Sequence, residues 1–159
     1  MPKPRRTLKS QAIGLLARRD YGRAELRQRL LTRAWGEESR GGADASVVDT
    51  LLDELTALGL LSDERYAHAL VARKQGSHSA RSIAGTLKAQ GVDSAIATEA
   101  LAGREGDDDT AMQALWERRF GNAPADEREK ARQVRFLQSR GFALSSILQF
   151  LRCQPVKDS

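Results

Sequence analysis

The sequence predicts an all-α protein made of three tandem three-helix repeats. Three observations carry this. Aromatic residues make up only 5% of the 159 residues, so Ala and Leu must supply most of the packing, and runs rich in Val, Ile, Thr and Tyr that favour strands are missing. No Asn-Gly or Asp-Gly pair stands between alternating apolar residues, as a tight hairpin requires. One pattern, two apolar residues, a spacer and two bases, occurs at 15–19, 70–74 and 115–119, each time followed by a turn and a second helical stripe.

The first helix starts at Leu8 and runs through Ala12, Leu15 and Leu16 on one stripe, with Asp20-Tyr21-Gly22 expected to end it. The second takes Gly22 as N-cap and Glu25 in its first turn, where the helix dipole favours an acid. It turns Leu26, Leu30 and Trp35 inward and stops at Gly36. The stretch 36–45, "GEESRGGADA", reads as an exposed connection. Val47, Val48, Leu51, Leu52, Leu55 and Leu58 then give the strongest amphipathic stripe of the chain. Gly59 is expected in the left-handed conformation, with Leu60 folded back onto the last turn. Ser62 caps the next helix, Asp63 and Glu64 suit its positive end, and Leu61 and Tyr66 hold the two positions of a hydrophobic staple.

The second helices of the repeats carry Leu26, Leu30 and Ala34-Trp35, then Ile83, Leu87 and Gly91-Val92, then Val134, Leu137 and Gly141-Phe142. Third helices follow at Val47 to Leu58, from Asp93 or Ser94 to about Leu101, and at Leu144 to Leu151, with Asp109 or a neighbour capping the first helix of the last repeat. The expected division is a basic tail at 1–7, repeats at 8–61, 62–105 and 106–153, and a second tail at 154–159. Repeats this short bury little core alone, so they are expected to stack into an elongated, curved molecule.

Catalytic chemistry finds little to work with. His68 and His78 are the only histidines, and the lone Cys153 can form neither an internal disulfide nor a cysteine metal cluster. Asp107-Asp108-Asp109 reads as the solvated start of a helix, and Trp35 and Trp116 as core residues. No metal, cofactor or enzymatic activity is expected. Nor does any apolar run suit a signal peptide or membrane span, so a cytoplasmic monomer is the expectation.

The net charge of +5 is spread in alternating basic and acidic segments. Bases in a helix's last turn complement its dipole, which accounts for recurring pairs at low cost. In a regular array, however, Arg18, Arg19, Arg73, Lys74, Arg118 and Arg119 line one side. Arg23, Arg27, Arg29 and Arg33 would extend that side in the first repeat, and Arg128, Lys130, Arg132, Arg135 and Arg140 in the third. With no stacking platform of surface aromatics, the contact expected is sequence-blind, with a phosphate backbone or an acidic protein. Ser79 to Gln90, with Arg81, Ser82 and Lys88 on its polar face, makes a weak candidate for a DNA-reading helix.

The joint Gly59 to Ala67, "GLLSDERYA", resembles the most recognisable element of the RecX family of bacterial regulatory proteins. "AIGLLARRDYGRAELRQRLL" is similar to that family's opening helices, and "ALWERRFGNAPADEREKARQVRFLQSRGFALSSILQFL" to its closing unit. The resemblance implies tandem three-helix repeats that bind the recombinase RecA along its nucleoprotein filament. It also implies that they modulate, usually inhibit, strand exchange and the linked ATPase and co-protease activities, with some affinity for DNA. Gly22 departs from the family's frequent Ser or Thr, and 36–45 matches no family pattern. The second reading is a DNA-binding protein acting directly on single or double strands.

Overall fold

In a computed structural model, residues 7–32 and 44–155 are described. Among them the regular elements are nine α-helices: α1 Leu8–Leu16, α2 Arg23–Thr32, α3 Ala45–Ala57, α4 Asp63–Lys74, α5 Ala80–Ala89, α6 Ser94–Ala102, α7 Asp108–Arg119, α8 Glu127–Ser139 and α9 Leu144–Arg152. The expectations for Arg33, Trp35, the stop at Gly36, most of the glycine-rich connection and the ends of both tails lie outside the described residues. The last two residues of that connection are helical in function. Asp44 caps α3 by accepting the Ser46 N–H at 2.9 Å, and Ala45 opens it.

The chain divides into two compact units. One takes the chain up to Ala69 together with Leu87–Ala97; the other takes Leu70–Thr86 and the chain from Thr98 onward. In the first, Ala12 and Leu15 of α1, Leu26 and Leu30 of α2, and Val48, Leu51, Leu52 and Leu55 of α3 form one core with Tyr21 and Leu61. Each buried leucine is worth about 1.5–3 kcal/mol. The apolar stripe of α3 is narrower than its spacing suggests, for Val47 is 55% and Leu58 58% exposed. Val48 takes the inward position, and Val47, about 100° round the helix, is turned out.

α3 ends in a Schellman turn. Gly59 has φ +73°, its N–H donates to the Thr56 carbonyl, and the Leu60 N–H donates to the Leu55 carbonyl. Leu60 folds back onto the last turn through this N–H bond, but its side chain is 40% exposed, and Leu61 is the side chain that enters the core. The same turn closes α5 at Gly91 and α8 at Gly141, with Val92 and Phe142 buried after them. This explains why a glycine followed by an apolar residue recurs.

In the second unit, Ala111, Met112, Leu115 and Trp116 of α7 pack with Leu137, Phe142, Ile147 and Leu151. Trp116 is a core residue. Its indole N–H donates to Oε1 of the buried Gln133 at 2.9 Å, and the Gln133 amide donates to the Asn122 carbonyl at 3.1 Å, so the buried polar pair is paired on both sides.

Candidate interaction surface

The joint after α3 does more than hand one helix to the next. Oγ of Ser62 accepts the Arg65 N–H at 3.1 Å, capping α4. Asp63 turns its carboxylate to the start of α2, where Oδ1 accepts the Arg23 N–H at 2.8 Å. Gly22 has no side chain to cap α2, so an acid from forty residues along the chain supplies the acceptor. A Cβ on Gly22 would stand 3.3 Å from the Tyr66 ring, a tight contact that the glycine avoids. Arg65 completes the joint. Its Nε donates to Asp20 Oδ1 at 2.8 Å, and its two Nη atoms donate to the Gly59 and Leu60 carbonyls at 3.1 and 3.2 Å.

The second unit repeats this clasp. Asp107 caps α7 through the Thr110 N–H at 2.8 Å, a bond that holds its carboxyl below the usual range. Asp108 accepts the Ala80 N–H at the start of α5 at 2.9 Å and the Arg104 guanidinium at 2.6 Å. Asp107-Asp108-Asp109 is therefore not simply a solvated helix start. Asp63 and Asp108 hold one register, the first residue of a repeat's first helix, and each ties that helix to the second helix of the preceding repeat. The aligned basic pairs already carried this signal, since they set the same register.

The basic residues divide by repeat. α1 ends at Leu16, earlier than Asp20, because the chain tightens: the Ala17 N–H reaches the Ile13 carbonyl and the Arg18 N–H only the Leu15 carbonyl. Arg18 and Arg19 consequently follow the helix, whereas Arg73 and Lys74 lie in the last turn of α4, and Arg118 and Arg119 in that of α7. Arg19 pairs with Glu25 at 2.6 Å and lies 3.7 Å over the Tyr21 ring. Arg23 pairs with Asp53 and Arg27 with Asp49, and the latter contact pulls the Asp49 carboxyl below its usual range. Arg29 reaches Glu25 at 3.9 Å. Arg18, Arg73, Arg128 and Arg135 are exposed without a described acidic partner, while Arg118 donates to the Gly76 carbonyl at 3.0 Å. Arg119 and Arg132 lie over aromatic rings.

His78, in the turn before α5, accepts or donates through Nδ1 to Ser77 Oγ at 2.9 Å. Partial burial, then Lys74 and Arg140, push its pKa below the usual histidine value. An unfolded chain thus takes up this proton more readily than the folded one, so stability falls as pH drops through the ordinary histidine range. In His78→Gln, urea midpoints measured between about pH 7.5 and 5.5 are expected to lose that part of the slope. An unchanged slope would remove His78 from the account.

Among the described residues no group of three or more His, Cys, Asp or Glu is placed to hold a metal ion, and no helix is long and apolar enough to cross a membrane. Fold and surface together define a helical-repeat protein whose polar chemistry is spent on joints and charged surface. The second three-helix domain of RecX matches residues 62–101, and the third matches residues 107–151. The chain is 35% identical over 153 residues to the regulatory protein RecX of Ralstonia pickettii, covering 95% of this chain and 91% of that one. It is 40% identical over 146 residues to that of Chromobacterium violaceum, covering 92% and 90%. A crystal structure of RecX from Lactobacillus salivarius shares the fold at TM-score 0.58 and 19% identity, covering 91% of this chain and 94% of that one. The chain belongs to the RecX family of regulatory proteins.

Proposed function

We propose that the protein binds RecA and its nucleoprotein filament and lowers recombinase, ATPase and co-protease activity in DNA recombination and repair, acting in the cytoplasm without chemistry of its own. The observation that carries this reading is the similarity to curated RecX regulatory proteins over more than nine-tenths of the chain. The surface is consistent with it. Ile13, Val47, Leu58 and Leu60 are exposed apolar side chains on the first unit, the composition a protein partner buries. Sub-saturating amounts of the purified protein are expected to lower DNA-dependent ATP hydrolysis by RecA. No effect up to saturation would refute the proposal.

A further inference from the structure

The third helix of the first repeat is apolar on two sides. Val48, Leu51, Leu52 and Leu55 enter the core of the unit, while Val47 and Leu58 stand out from it. Eleven residues are just over three full turns, so these two lie on one outer strip of α3, about 16 Å apart along the axis, with Thr50 and Glu54 between them. Ile13 and Leu60 are also exposed, and the only other large apolar side chain in that state among the described residues is Leu144. Single exposed apolar residues are ordinary on any protein; four in one unit, two of them in line on one helix, are not scatter.

The polar groups of this strip are already satisfied. Thr50 Oγ1 donates to the Ser46 carbonyl at 2.9 Å, so its hydroxyl can be covered without losing a bond to water. Glu54 accepts from Lys9 Nζ, and Lys9 shares its face of α1 with Ile13 one turn on. On the side toward α2, Asp49 and Asp53 are held by Arg27 and Arg23. The strip therefore carries paired charge in a chain whose net charge is +5. An excess of one sign repels a second copy of the same chain; here that repulsion is cancelled locally.

We infer that the outer strip of α3 is a self-association face, which a second copy of this chain covers in an antiparallel, two-fold arrangement. Antiparallel pairing sets Val47 of each copy against Leu58 of the other, the self-complementary contact that a two-fold axis requires. It also sets Thr50 of each copy opposite Glu54 of the other, and each Glu54 arrives with its own Lys9 rather than as a bare charge. One face of a 13-residue helix, about 20 Å long and about 10 Å wide, falls well short of the about 800 Å² per partner of a standard stable interface. Even with Ile13 and Leu60 added the pair is weak, and the expected monomer becomes a concentration-dependent pair. The inference is independent of the proposed action on RecA: where the chain is dilute and single, the face is free for another protein.

The test is sedimentation equilibrium of the full chain, without RecA or DNA, from about 1 μM to about 1 mM, the range in which a small interface dissociates. Wild type is expected to move from one chain toward two, and to do so at least as readily when salt is raised, since salt screens the net repulsion. Val47→Lys with Leu58→Lys should stay single throughout, a loss of at least about tenfold in affinity. Val47→Lys with Leu58→Glu should associate better than the double-lysine variant, because antiparallel pairing sets each introduced lysine against the other copy's introduced glutamate. Both positions are exposed, so melting temperatures should stay within about 3 °C of wild type, which separates loss of pairing from loss of fold. A wild-type chain that stays single at about 1 mM, a double-lysine variant that pairs like wild type, or a charge-swapped variant no better than the double-lysine one would each overturn the assignment. So would a wild type single at every concentration beside a double-lysine variant that loses its effect on RecA hydrolysis, which gives the face to another protein. Hydrolysis by RecA with wild type is a separate readout, so failure of the pairing and failure of the proposed function are told apart.

Discussion

Asp108→Ala is expected to destabilise the protein by about 2–3 kcal/mol, roughly 5–10 °C in melting temperature. Two losses combine. The Ala80 N–H at the start of α5 loses its acceptor, and Arg104, whose side chain is only 7% exposed, loses its sole carboxylate among the described residues. Breaking a fully buried ion pair from one side costs about 3–5 kcal/mol, and the combined loss falls at or below the bottom of that range because the Asp108 side chain is 48% exposed. Arg104 then keeps one carbonyl, that of His78 at 3.4 Å, and its Nε already lacks a partner among the described atoms. Asp63→Ala removes only the acceptor of the Arg23 N–H and is expected to cost about 1 kcal/mol. Thermal and urea melts of both variants check the ranking. Equal and small effects would mean that the clasp does not hold successive repeats together.

A methyl group on Gly141 is expected to cost about 3–4 kcal/mol, from left-handed backbone strain plus an overpacked contact. Gly141 has φ +90°, and a Cβ there would lie 2.5 Å from both Ser79 Oγ and Ser82 Cβ. Ser79 is itself buried and caps α5 by accepting the Ser82 N–H, so it has no room to withdraw. Adding Ser82→Gly to Gly141→Ala should restore part of the loss by removing two of the three obstructing atoms, but not the backbone strain. Gly59→Ala has the same sign of φ with nothing within 4 Å, and is expected to show the strain alone, about 1–2 kcal/mol. If the two glycine variants melt together, close approach of the helices at Gly141 is not the reason for the glycine.

Much of this was legible because its causes are local. Gly59, Ser62 and the Leu61/Tyr66 positions declare a helix end and a helix start through backbone conformation and capping, which need no knowledge of the rest of the chain. Trp116 was legible as core for the same kind of reason, its helical neighbours being apolar. The partners of acids were not. Asp63 and Asp108 read equally well as first-turn acids complementing their own helices, and only the packed chain shows their carboxylates spent on α2 and α5. The basic residues show the same boundary between local and distant. Arg27 and Arg132 are alike in sequence, yet Arg27 meets Asp49 of α3 while Arg132 meets the ring of Phe120. Val47 and Leu58 mark the opposite error: spacing put them on the buried stripe, and the position of the neighbouring helices leaves them outside it.

The central claim, action on a RecA filament rather than on DNA by itself, is tested most directly by comparing two affinities. The labelled protein is titrated against an assembled RecA–DNA filament and against the same DNA without RecA, both near physiological salt. The account expects the filament to bind at least about tenfold tighter, since phosphate contacts alone weaken steeply as salt rises. Equal affinity for the two, or tighter binding to the bare DNA, would contradict it and leave a DNA-binding protein in its place.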